Sequence, residues 1–137
     1  MLVGEGLAPP RLAPPAMWQP PDSFLGGFSM NSTDNYRLVL VACANALQAK
    51  LIARSLVEKR LAACVNVLRR SIDSYYRWEG KVEKTHEVLL FIKTTVRKLG
   101  GLEREVKRLH SYEVPEFIAL PIVSGSKAYL DWLDENT

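Results

Sequence analysis

From Asn35 onward the spacing of apolar and polar positions marks strands and helices, and three stretches are apolar on both of their alternating faces. In EVLLFIKT, Glu87 to Thr94, Val88, Leu90 and Ile92 point one way while Leu89 and Phe91 point the other. LVLV (Leu38 to Val41) and FIALPIV (Phe117 to Val123) read the same way. A strand of this kind requires cover on both sides.

Around these strands the pattern predicts the remaining elements. Tyr36 to Cys43 is a strand that stops before Asn45, which with Gln48 three residues on has the form of a helix-capping box. Leu47, Leu51, Ile52, Leu56 and Val57 are expected on one face of the helix that follows. Ala63 to Leu68 and Ile72 to Trp78 are extended, with Gly80 as the turn into the strand around Leu90. Leu102, Val106 and Leu109 form a second helical stripe, weakened at its start by Gly100 and Gly101. A last long strand is expected from Pro115 to Gly125, and a short terminal helix from Tyr129, Trp132 and Leu133.

The order β-α-β-β-α-β plus a small helix predicts an α+β fold, the ferredoxin-like split βαβ sandwich. Right-handed crossovers put both long helices on one face of the sheet. Val39, Val41, Leu89 and Phe91 then offer hydrocarbon on whichever face is left open. Burying one such side chain is worth about 1.5–3 kcal/mol, and a whole domain is stable by only about 5–15 kcal/mol. The expectation is an obligate homo-oligomer.

Composition narrows the function classes. The chain has 137 residues, a net charge of +3 and two cysteines. Its bases are dispersed among acids, not gathered on one stripe, so no nucleic-acid partner is expected. No apolar run approaches the ~20 residues of a membrane helix, so no membrane insertion is expected. Two cysteines do not make a disulfide framework, which favours a reducing, cytoplasmic setting. Residues 1–34 hold six of the eight prolines and half of the glycines, and read as a disordered arm ahead of one domain over 35–137.

LAACVN (Leu61 to Asn66), SYYRWEGKVE (Ser74 to Glu83), EVLLFIKT, HSYEVPEFIALP (His110 to Pro121) and YLDWL (Tyr129 to Leu133) occur in this order. Together they resemble the CutA family of divalent-cation tolerance proteins, over essentially all of Leu38 to Thr137. The resemblance implies a PII-like homotrimer whose hairpin around Trp78 to Lys81 reaches into neighbouring subunits. It implies a non-catalytic role in tolerance or binding of copper and other divalent cations. A PII-like small-ligand sensor, or a scaffold anchoring a protein partner such as acetylcholinesterase, is the alternative. The chain departs from the family pattern at CANA (Cys43 to Ala46), at Arg69 and Arg70, and at Ser111, each in a loop.

Four soft metal ligands are present: Cys43, Cys64, His86 and His110. No CxxC, HxxH or HExxH spacing joins them. The split βαβ topology separates Cys43 from Cys64 by about a strand length, too far for a disulfide. It brings Cys43, His110, Tyr112 and Glu113 to the sheet end that carries the Trp78 hairpin. Cys43, His110 and Glu113 there offer sulfur, imidazole and carboxylate donors of the kind copper accepts. The same residues also read as a small buried hydrophobe, a helix C-terminal cap and a surface ion-pair partner. Tyr75, Tyr76, Trp78 and Tyr112, with Lys93, read as the lining of a ligand site or as an intersubunit contact. Arg54 near Asn45 is the one hint of a phosphate-handling loop, without a glycine-rich cradle.

Overall fold

The computed structural model describes residues 34–137; but for Asp34, the arm read over 1–34 lies outside them. Four strands form one sheet in the order β2-β3-β1-β4, with β1 at Tyr36–Cys43, β2 at Cys64–Trp78, β3 at Lys81–Thr95 and β4 at Ile118–Pro121. Every neighbouring pair is antiparallel. Helices α1 (Ala46–Glu58) and α2 (Leu99–Leu109) connect them, and α3 (Lys127–Glu135) closes the chain. This is the split βαβ architecture expected from the pattern.

The capping box forms with one change of partner. Asn45 Oδ1 accepts the Gln48 backbone N–H at 2.9 Å, and the Gln48 side chain reaches back to the N–H of Ala44 at 3.2 Å, one residue before the cap. The helix face differs from the expected one. Ala49, Ile52 and Leu56 are buried against the sheet, while Leu47 and Leu51 are 69% and 59% exposed. At ~100° per residue Leu47 and Leu51 lie nearly opposite the Ala49 to Leu56 stripe, so all five apolar positions cannot share one side.

Val39, Val41 and Cys43 of β1 pair in register with Ile92, Leu90 and Val88 of β3. These side chains meet Ile52, Leu56, Leu102 and Val106 in the main core. Gly101 stands where α2 passes the chain after α1: a Cβ there would come within 3.0 Å of Leu61 Cδ2. Between the helices, Glu105 is clamped by Lys59 at 2.9 Å, by Ser55 at 3.3 Å and by Arg108.

The opposite face carries Leu38, Leu40, Leu89 and Phe91, all half-buried, with Leu68, Ile118 and Leu120 exposed at its flanks. Val39 and Val41 thus belong to the helix side, and Leu38 and Leu40 take the outward positions. Helix α3 covers one end of this face, where Leu130 and Leu133 meet Tyr36 and Ala63. Arg97 holds it there through Asp134 at 3.1 Å and the Thr137 carbonyl at 2.7 Å.

Two strands depart from the expected bounds. The two extended pieces of the second strand merge into one strand of 15 residues, with a register shift between Leu68 and Ile72. The last strand, expected from Pro115 to Gly125, is only Ile118–Pro121. It pairs on one side alone and ends at Pro121, which has no N–H to donate. The hairpin turn is Glu79-Gly80, with φ of 48° and 78°. Two positive φ angles suit a two-residue turn between twisted strands, and glycine adopts one at no steric cost.

Candidate functional site

Strand β1 ends at Cys43, opposite Val88, while β2 and β3 continue past it as a two-stranded arm from Ile72 and Glu87 out to Trp78 and Lys81. At the root of that arm the chain gathers the groups that the sequence assigned to one sheet end. Helix α2 stops at His110, whose backbone leaves the helix as extended chain. The imidazole is buried, with Nε2 at 2.7 Å from the Ala42 carbonyl and Nδ1 accepting the Tyr112 backbone N–H at 3.1 Å. A carbonyl requires a donor and an N–H requires an acceptor, so these partners select the neutral ring protonated at Nε2.

Tyr112 stacks at a tilt on His110, with 4.8 Å between ring centres, and its phenol lies by the Glu87 carboxylate. Burial, then the charge and hydrogen bond of Glu87, push the Tyr112 phenol up to about 12. Burial and the same carboxylate push the Cys43 thiol up to about 12. At neutral pH the thiol and phenol therefore keep their protons and the imidazole is committed at both nitrogens. This set donates hydrogen bonds; it does not supply a thiolate nucleophile.

Cys43, His110 and Tyr112 are thus brought together. Glu113 is exposed on the loop beyond them. No group of three His, Cys, Asp or Glu side chains converges among the described residues, so the Cys43, His110, Glu113 trio is not a preformed ligand set in one chain. The reason is local: His110 uses its lone pair to turn the chain after α2, and Cys43 faces the apolar core.

The expected aromatic lining divides. Tyr76 and Trp78 occupy one set of alternate positions on β2 and Tyr75 the other, where it takes the Lys84 ammonium over its ring at 5.6 Å. Tyr75 and Trp78 are exposed. Lys93 lies elsewhere, opposite Cys64 toward the α3 end of the sheet, and donates to Asn66 Oδ1 and to the Phe91 carbonyl. Burial lowers its pKa, and Cys64 beside it acts the other way. The Tyr129 hydroxyl also meets Cys64, and burial first and then that contact raise the phenol to about 12. Lys93 therefore belongs to a second polar cluster with Cys64, Asn66 and Tyr129.

Arg54 and Asn45 are spent structurally, on Glu58 at 2.7 Å and on the helix cap. His86 is exposed and paired with Asp73 at 2.7 Å. Glu87 was missed: the available signal was a single acid opening an otherwise apolar strand.

The family described as CutA1 divalent ion tolerance protein matches residues 37–136. The divalent-cation tolerance protein CutA of Thermus thermophilus is 49% identical over 100 residues, covering 73% of this chain and 96% of that protein. Mouse protein CutA is 43% identical over 125 residues, 91% of this chain and 67% of the relative. Among solved structures, the divalent cation tolerance protein Cut A1 from Thermus thermophilus superposes with a TM-score of 0.73 at 48% identity, over 74% of this chain and 98% of the other. CutA1 from Oryza sativa gives a TM-score of 0.73 at 44% identity, over 77% and 96%.

Proposed function

The chain belongs to the CutA1 divalent ion tolerance protein family, and from that premise we propose that it acts as a homotrimer in divalent-cation tolerance, by binding and without turnover. The observation that carries this reading is the outward sheet face. Leu40, Leu89 and Phe91 lie half-covered between exposed Leu68, Ile118 and Leu120, and α3 reaches only one end. Full burial of such a side chain from water is worth about 1.5–3 kcal/mol; each of these has part of that still to gain, and further copies of the chain are the cover always present with it. The exposed aromatic residues of the arm, Tyr75 and Trp78, are of the kind that interfaces use. Two unpaired cysteines support a reducing compartment, the cytoplasm. Sedimentation equilibrium at micromolar concentration tests the assembly: a mass of three chains is expected, and a single-chain mass removes the reading.

Copper is the cation proposed for the root of the arm, because Cys43 and His110 stand at one sheet end with Glu113 on the adjoining loop. Binding there has to displace the Tyr112 N–H from Nδ1 and the proton from a thiol raised to about 12. A copper titration of the wild type and of Cys43→Ala and His110→Ala is decisive. Weaker binding in both variants is expected if these donors hold the metal, and unchanged affinity in both rejects the site.

A further inference from the structure

We propose that the Glu87 carboxylate is a socket for an organic cation bearing N–H donors, a guanidinium or ammonium group, supplied by a neighbouring copy of the chain. The proposal rests on the trimeric reading above. Glu87 is 7% exposed, and its carboxylate lies by the Tyr112 phenol. No arginine, lysine or histidine among the described residues forms an ion pair with it. The other buried carboxylate, Glu105, shows the usual arrangement, with Lys59 and Arg108 both upon it. An ionised carboxylate offers about four acceptor sites, and one neutral phenol can fill only one of them. Removed from water without a counter-charge, such a group is costly to bury.

The surroundings select the kind of cation. Both nitrogens of His110 are engaged and no group of three His, Cys, Asp or Glu side chains converges among the described residues, so the donor set that a divalent metal needs is not assembled on Glu87. A group that brings its own N–H donors requires only the carboxylate oxygens and the aromatic wall beside them. The chain carries suitable groups on the arm and in the β2 segment just before it. Arg69, Arg70 and Lys81 are exposed and form no ion pair with an acid among the described residues. The arm projects past the end of β1, away from its own core and within reach of a neighbour.

Sedimentation equilibrium of the full chain reads the proposal. Glu87→Gln keeps the volume and an oxygen for Tyr112 but deletes the charge. It is expected to weaken assembly at least about tenfold, the scale of losing one partner of a buried charge pair, with the far-UV spectrum unchanged. The combined Arg69→Gln, Arg70→Gln, Lys81→Gln variant alters only exposed positions and is expected to weaken assembly likewise. If Glu87→Gln leaves assembly intact but agmatine raises the melting temperature of the wild type and not of Glu87→Gln, the cation comes free from solution. Unchanged assembly in both variants with no agmatine shift overturns the socket. A wild-type chain that sediments alone removes the trimeric reading instead, and the agmatine comparison then decides the socket by itself.

Discussion

The two faces of the sheet are made of the same kinds of residue at adjacent positions, yet they end in different states. Val39, Val41, Leu90 and Ile92 are completely buried under α1 and α2, while Leu40, Leu89 and Phe91, one residue away on the same strands, stop half-covered. Side-chain type does not distinguish them. What differs is how much chain remains to lie over each: 24 residues of long helix on one face, and nine residues of α3 at one end of the other. One face is completed within the chain, and the other is left half-covered, for the proposed association to complete.

The contrast is broken most severely on the helix side. Leu90→Ala leaves a cavity in a fully buried site and is expected to cost about 2–5 kcal/mol, read as a lower urea midpoint at every protein concentration. Phe91→Asp, next to it on the other face, is expected to leave the fold intact and to remove about 1.5–3 kcal/mol of association per chain. Sedimentation and far-UV spectra together check it; if Phe91→Asp unfolds the chain as Leu90→Ala does, the two faces are not distinct. Asn45→Ala deletes the cap that sets where α1 begins and is expected to cost about 1 kcal/mol, whereas Leu47→Lys on the far side of that helix should stay within about 0.5 kcal/mol.

The smallest effect concerns acid. Lys59 and Arg108, by hydrogen bonds first and then by charge, hold Glu105 down at about 2, below its ordinary 4.5. A carboxyl depressed in the folded state adds stability that is complete above its unfolded value and fades as pH falls toward the folded one. Stability should therefore decline between about pH 4.5 and 2 in the wild type. Glu105→Gln should flatten that part of the acid-melting curve without altering the mass in solution.

Legibility followed the range of the interaction. The Asn45 cap, the Glu79-Gly80 turn and the strand order rest on neighbours in sequence or on topology, and all were readable. The buried side of α1 was not, because Leu47 and Leu51 are as apolar as Ile52 and Leu56, and only docking on the sheet separates them. Strand β4 looked long because its residues are extended and apolar; pairing on one edge and Pro121 confined it to four residues. At the site, topology correctly put Cys43, His110 and Tyr112 at one sheet end. Their detailed roles depend on Ala42, Tyr112 and Glu87, contacts made across 68 residues for the His110 bond to Ala42 and invisible to spacing.

The outer border of β2 carries one more consequence. A straight border of 15 residues would present a continuous row of amide and carbonyl groups on which strands from other molecules can stack without limit. The register shift between Leu68 and Ile72 interrupts that row and sets the charged, exposed Arg69 and Arg70 within it. Like charges and a bent margin resist edge-on growth into fibrils. The chain can therefore keep an oily sheet face while remaining a poor seed for amyloid.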